Sequence, residues 1–449
     1  MRTITFLIGL LFVANNCFAD DAAIREEINQ LKSRIIALEQ KLTTQEKCMN
    51  GQKQYILDQN KKISEYETKL SQFDMDLHRE TGRPIQLVEG LDISAGVTAV
   101  IQGTNNVNNA SSDASRKISR TDASYSTDIT IGKEFKDFGG RAFLHLENGQ
   151  GNGLEDDLTL YGNVNRDADD DVNVRVTEAW YEQGLFKDKA VITFGKLDPT
   201  VYFDDNEVAN DETTQFLGRI FRNSPIIEFP DNTAGIRLAY IPAEWVEFNY
   251  GLFNGNSEHW DKMFDNLFNV GQVAFKTNFH NLPGDYRFYG WNNNMYHTKW
   301  TDASQNKKNA YGFGLSFDQK ANDVITLFTR YGWQNPEVFN PDITATGGLN
   351  YSLEQSWSAG FQIEGKPWRR ENDVVAFAVG QIFPSGDYKE YYGYEGEPEG
   401  HLEAYYKIYF NKYLSISPDF QYVWNPFGKD ISDDTNGVFV GGMRTQVDF

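Results

Sequence analysis

From about Leu91 to Phe449 the chain consists of short runs in which apolar side chains alternate with polar or small ones. Successive side chains of a strand point to opposite faces, so each run predicts a strand with one apolar and one polar side. In the first run Leu91, Ile93, Ala95, Val97, Ala99 and Ile101 share one face, and Asp92, Ser94, Thr98 and Gln102 the other. Later, Leu402, Ala404, Tyr406, Ile408 and Phe410 oppose His401, Glu403, Lys407 and Tyr409, and at the end Phe439, Met443, Val447 and Phe449 oppose Arg444, Gln446 and Asp448. A sealed core does not accept charges at every second position, whereas a water-filled lumen does. The pattern therefore predicts an all-β transmembrane barrel over residues 85–449, since a tilted strand crosses a bilayer in ~9–11 residues.

Sixteen such runs are counted, starting near Leu91, Ala123, Gly139, Val172, Lys189, Asn232, Trp245, Val270, Asp285, Asn309, Asp323, Gln355, Glu371, Gly400, Leu414 and Gly437. The breaks at 136–138, 186–188, Pro242-Ala243, Asn281–Gly284, 320–322, Pro367-Trp368 and Asn411–Tyr413 are short, and those between them are long and polar. That alternation is expected of antiparallel hairpins with short periplasmic turns and long outer loops. The last strand must pair with the first so that no edge is left in lipid, and an aromatic at its end sits at the interface. Phe449 is accordingly expected to act as the signal read by the barrel assembly machinery.

Composition bounds the alternatives. Aromatic residues make up 14% of the chain and mean hydropathy is −0.55. The apolar stretch from Ile4 to Val13 is too short to cross a membrane as a helix, follows Arg2, and leads to Cys17-Phe18-Ala19 before Asp20. Residues 1–19 read as an export signal, with lipidation at Cys17 as the alternative. Its removal leaves Cys48 alone and no internal disulfide.

Residues 20–83 follow another rhythm. Ile28, Ile35, Leu42, Met49, Ile56, Ile63, Leu70 and Leu77 recur every seven positions, with Ile24, Leu31, Leu38, Tyr66 and Phe73 between them. Gln45, Gln52 and Gln59 at successive partner positions loosen the middle. The seam predicts a periplasmic α-helical coiled coil ended by Arg83-Pro84, either between chains or as one helix folded on its own barrel.

The formal net charge is −22, and nearly all of it lies in residues 85–449, with 30 basic against 52 acidic side chains. That balance argues against nucleic acid as a partner. The clusters Glu155-Asp156-Asp157 and Asp169-Asp170-Asp171 fall in outer loops, where such groups keep a surface soluble or bridge divalent ions to anionic lipid. His145, His259, His280, His297 and His401 are scattered without a nucleophile, two cysteines make no zinc site, and no phosphate-cradling loop occurs. No catalytic residue, metal or cofactor is expected.

The longest break runs from Pro199 to Asp231. A helix is expected after Asn210, with Asp211 and Glu212 in its first turn and Thr214, Phe216, Leu217, Ile220 and Phe221 at helical spacing. An apolar face in a loop needs burial against the barrel's inner wall, against a neighbouring protomer, or as a cap over the mouth. If the loop folds inward, Asp204, Asp205, Glu207, Asp211 and Glu212 bring negative charge to a constriction, and Arg219 and Arg222 face those acids or the opposite wall. Arg141, Glu147, Arg237, Arg287, Arg330, Glu364, Glu403, Lys407 and Arg444 project inward on the same register, beside Tyr289 and Trp291. Each is read as a wall ion-pair partner or a solute contact.

The stretch from Gly195 to Ile236, GKLDPTVYFDDNEVANDETTQFLGRIFRNSPIIEFPDNTAGI, resembles the signature region of the carbohydrate-selective porin family of OprB type. The resemblance covers roughly residues 85–449 and is dense only in this segment. It implies a sixteen-stranded outer-membrane barrel that passes sugars or other small hydrophilic solutes by diffusion, embedded in outer-membrane lipid and often trimeric. The long coil before the barrel departs from the family pattern. A nonspecific, mildly cation-preferring porin and a barrel-anchored periplasmic tether are the alternatives.

Overall fold

The computed structural model describes residues 31–36, 38, 39, 41, 89–108, 119–255, 263, 265–344, 350–429 and 437–449. The chain divides into two units, Met1–Leu87 and Val88–Phe449. In the first, the described residues are helical. The export signal and the rest of the predicted coil lie outside the described residues.

The second unit is a closed antiparallel sheet. Its strands are β1 (Leu91–Thr104), β2 (Arg120–Phe135), β3 (Gly140–Gln150), β4 (Arg175–Leu185), β5 (Ala190–Leu197), β6 (Thr233–Ala243), β7 (Val246–Asn254), β8 (Leu267–Phe279) and β9 (Leu282–Lys299), then β10 (Lys308–Lys320) and β11 (Ile325–Gln334). A two-residue β12 (Val338–Phe339) pairs with the end of β9 in an outer loop. The barrel continues with β13 (Leu353–Glu364), β14 (Val374–Pro384), β15 (Glu399–Tyr409), β16 (Leu414–Trp424) and β17 (Val438–Asp448). Each barrel strand pairs with its neighbour, and β17 pairs with β1 from Asp448 opposite Gly96 to Val440 opposite Thr104. Sixteen long strands thus close the ring, and each begins within three residues of its predicted start.

Short turns and long loops alternate as expected except that the β13–β14 turn, residues 365–373, is longer than the β9–β10 loop, residues 300–307. Two turns have only two residues, and the one between β8 and β9 is His280-Asn281 with φ of 52° and 66°. Two left-handed residues match the right-handed twist of the strands they join. Phe138, Phe186, Trp245, Phe279 and Tyr413 are exposed at this short-turn end, forming an interfacial girdle. Outward positions such as Ile93, Ile101, Leu238, Phe248, Phe288, Leu327 and Met443 are exposed apolar side chains, suited to lipid.

The inner face departs from a wholly polar lumen. Thr98, Gln102, Ser126, Gln272, Ser316, Ser358, Gln421 and Gln446 line it, yet Phe253, Phe268, Val270, Phe328, Ala376, Ala378, Val423 and Val440 also point inward and are buried. Apolar groups on an inner wall are stable only where something dry covers them.

Phe449 lies outward and is 72% exposed, while its backbone exchanges hydrogen bonds with Ala95 on β1. Its side chain therefore adds nothing to the interior, and its expected role is in assembly. Changing Phe449→Ser should leave mostly unfolded protein, measured as loss of the heat-modifiable band on electrophoresis. A normal yield of folded barrel would remove Phe449 from assembly.

Candidate functional site

The third outer loop, residues 198–232, supplies most of the cover. Phe203, Val208, Ala209, Phe216, Leu217, Ile220, Phe221, Ile226 and Ile227 are all buried. Phe203 meets Phe253 of β7 edge-on at 6.1 Å, and Phe216 meets Tyr405 of β15 at 5.1 Å and Phe328 of β11 at 5.7 Å. Each large side chain so covered is worth about 1.5–3 kcal/mol relative to exposure. Of the placements open to this loop from sequence, the structure takes the inward one.

The expected helix is only one turn long, α1 (Arg219–Arg222). Two competing bonds explain the shortfall. Asp211 accepts from the Thr213 amide and from the Thr213 and Thr214 hydroxyls, closing a local turn. Glu403 on β15 then takes the amides of Leu217 and Gly218, at 2.6 and 2.9 Å, that a continuing helix would use. A Cβ on Gly218 would sit 2.8 Å from that carboxylate, so the close approach requires glycine.

Most charges assigned to the loop are spent holding it. Asp204 is fully buried against Arg330 of β11, which donates to its carbonyl at 2.9 Å and to the Phe221 carbonyl at 2.7 Å. Asp205 pairs with Arg287 of β9 at 2.9 Å, and Arg287 also pairs with Asp285 and Asp318. The Glu207 amide bonds Asp318, and Arg222 is tied to Glu212 and Asp198. Arg444 of β17 donates to the Glu212 and Gln215 carbonyls, both at 2.7 Å. Asp204 in particular carries no charge into the bore, because a carboxylate this deep is stable only with its partner.

The remaining wall residues also point inward. Arg237 pairs with Glu182 and Glu247, and Tyr202 of the loop lies over its guanidinium at 4.7 Å. Glu147 stands opposite Arg175. Glu364 pairs with Lys366 and Lys320, Lys407 lies over Tyr409, and the exposed Arg141 lies over Phe143 and Trp180. Tyr289 and Trp291 are buried under the loop beside Phe268 rather than exposed to solute.

A second inward loop was not foreseen. Residues 151–174 follow β3, and Leu154, Leu158, Tyr161 and Val164 are buried against Val423, Val438, Val440 and Phe427. The clusters around Glu155 and Asp169 are therefore not simply a soluble outer surface: Glu155 accepts from the Val164 and Asn165 amides, and Asp157 is buried against Arg120. Asp169 and Asp171 pair with Arg175. Glu399, also on β15, takes the amides of Tyr161, Gly162 and Phe427 and lies 2.8 Å from His401. The spacing of Leu154, Leu158 and Tyr161 within a nominally polar loop was the available clue.

The two loops meet. The Arg166 amide donates to Leu217 and the Arg219 amide to Asn163, at 2.8 and 3.2 Å. Both side chains are exposed, and among the described residues neither guanidinium makes an ion pair. Surrounding protein first, and Arg166 second, hold Arg219 below its ordinary pKa although its surface is open to water.

A closed sixteen-strand antiparallel barrel with loops folded into its lumen has the architecture of a porin-type channel of the outer membrane. Residues 122–449 match the model of the carbohydrate-selective porin, OprB family, and the chain belongs to that family. Its fold is similar to Pseudomonas putida OprB in a high-pH structure, with a TM-score of 0.67 at 15% identity, covering 83% of this chain and 97% of that one. The outer-membrane channel DcaP of Acinetobacter baumannii gives 0.51 at 11% identity over 80% and 97%. A protein of Aquifex aeolicus described as uncharacterised is 23% identical over 266 residues, 59% of this chain and 67% of the other.

Two outcomes follow from the loop contacts. Glu403→Ala strands the Leu217 and Gly218 amides, at about 1–3 kcal/mol for each buried unsatisfied group. Arg330→Ala leaves Asp204 unpaired, at roughly 3–5 kcal/mol. Both variants should raise single-channel conductance and expose Arg219 or Arg222 to trypsin; unchanged current and resistance in both would mean that apolar packing alone holds the loop. Burial pushes Glu155 up to about 7 against the lowering effect of its two amide donors. The docked loop then binds a proton that the undocked loop releases, so docking weakens as pH rises from 4.5 to about 7 and stays level above. Hydrogen exchange at residues 153–167 should follow that profile, and Glu155→Gln should flatten it.

Proposed function

We propose that the channel passes small neutral carbohydrates by diffusion. The observation that carries this reading is the open pair Arg166 and Arg219 where the two inward loops meet, while most of the third loop's acids are engaged in ion pairs or turn bonds. A sugar crossing a narrow bore needs fixed donors and acceptors to replace water, held weakly enough for release. A guanidinium offers several planar N–H donors that span adjacent hydroxyls, and Tyr351 and Asp231 act electrostatically on Arg219 from nearby. Membership in a family described as carbohydrate-selective supports the same solute class. Preference for cations would draw on the net charge of −22, but the loop junction presents two guanidinium groups outside any ion pair among the described residues.

The heptad seam supports a self-associating periplasmic coil over residues 20–83, and with it a homotrimer. That part of the proposal is separable from conduction, and a purely tethering role is its rival.

Planar-bilayer recording with added mono- and oligosaccharides tests the reading. Neutral sugar should block the current, and Arg219→Ala should raise the half-blocking concentration about tenfold, as expected for losing a hydrogen bond to a charged group. Removing residues 20–83 should preserve block while lowering the number of chains in the detergent-solubilised particle. Absence of block by any neutral sugar would overturn the solute class, and an unchanged number of chains per particle would overturn the coil.

A further inference from the structure

The outer loop between β14 and β15 carries α2 (Gly386–Tyr392). Ser385 caps its start and Gly393, with φ of 70°, ends it. This short helix holds a cluster of tyrosines. Trp300, buried at the end of β9 and bonded through its indole N–H to Ser352 at 2.8 Å, forms the floor. Tyr388, Tyr391 and Tyr392 pack on it with ring centroids 5.4, 5.3 and 5.9 Å away. Tyr392 and Tyr394 stack at 5.5 Å with planes 18° apart. Tyr388 is sealed, whereas Tyr391 is 59% exposed and Tyr392 and Tyr394 are half-buried.

A flexible, water-facing loop does not ordinarily hold an exposed tyrosine on a rigid aromatic floor; fixing the ring costs side-chain freedom that its own burial does not return. Rings so fixed suit a ligand with an apolar face. The surroundings narrow that ligand further. Asp387 and Glu390 lie on the same helix and Glu395 and Glu397 just beyond it, and among the described residues none of the four joins an ion pair. Carboxylates beside aromatic faces repel an anion, whereas they accept hydrogen bonds from hydroxyl groups. The cluster also reaches toward the loop junction: Tyr388 acts electrostatically on Tyr161, Tyr161 meets Tyr351 at 5.4 Å, and Tyr351 lies within electrostatic reach of Arg219.

We propose that Tyr391, Tyr392 and Tyr394 form an outer vestibule site on which a neutral pyranose stacks before it reaches the loop junction. The inference rests on the carbohydrate reading above and adds a second, aromatic subsite to it. Such a site raises the local concentration of sugar at the mouth and speeds entry.

Current-noise analysis of the reconstituted full chain gives the association rate for block by glucose and by a linear glucose trisaccharide. Tyr391→Ala should lower that rate about three- to tenfold, the range expected for loss of one aromatic stack, and Tyr391→Phe should keep it. Sugar block of the wild type with equal association rates in Tyr391→Ala and Tyr392→Ala would overturn the vestibule and leave the channel reading intact. A wild type that no sugar blocks would overturn both.

Discussion

Two carboxylates on one strand organise the interior of this barrel. Glu399 and Glu403 of β15 point the same way because they are four residues apart on a strand of period two. Each takes two consecutive backbone amides of an inward loop, Tyr161 and Gly162 for one, Leu217 and Gly218 for the other. Consecutive amides converging on one anion form a concave site of fixed positive potential. In both loops a glycine provides the second amide, and a Cβ would collide with the wall at either place. The loops therefore enter the lumen along routes set by where the strand presents its charges.

The apolar part of the inner wall has the same logic from the other side. Val423, Val438 and Val440 would be exposed to water in an empty barrel, as would Phe253, Phe268 and Phe328, and the loops cover both sets. Apolar contact supplies much of the driving force without direction; the buried ion pairs and amide bonds supply direction. Arg330 shows how strongly the position is specified. It donates to the carbonyls of Asp204 and Phe221 and to the Asn210 side-chain oxygen, three acceptors from one loop, and pairs its charge with the Asp204 carboxylate.

Electrostatics of the bore follow from what is left over. Acidic residues dominate the barrel sequence, yet within the third loop most are engaged by wall arginines, by Arg222 of the loop itself or by hydroxyls of their own turn. Arg166 and Arg219 lie where each loop backbone bonds the other, within electrostatic reach of Glu155 but, among the described residues, outside any ion pair. Net charge consequently says little about the charge presented where the two loops meet.

Alternation of apolar and polar positions was enough to determine the barrel, its sixteen strands and the inward face of residues such as Arg141, Glu403 and Arg444. The reason is that lipid and water impose opposite demands on neighbouring residues, and that contrast is local and periodic. It also marked the third loop, whose apolar residues are dense enough to require cover. Tertiary structure alone decided that residues 151–174 fold inward as well, that the expected helix shrinks to Arg219–Arg222, and that Asp204 is an anchor while Arg219 is open. Those outcomes depend on pairs such as Glu399 with Gly162, 237 residues apart in the chain. No local pattern encodes which of many carboxylates meets which amide; closure of the ring brings them together.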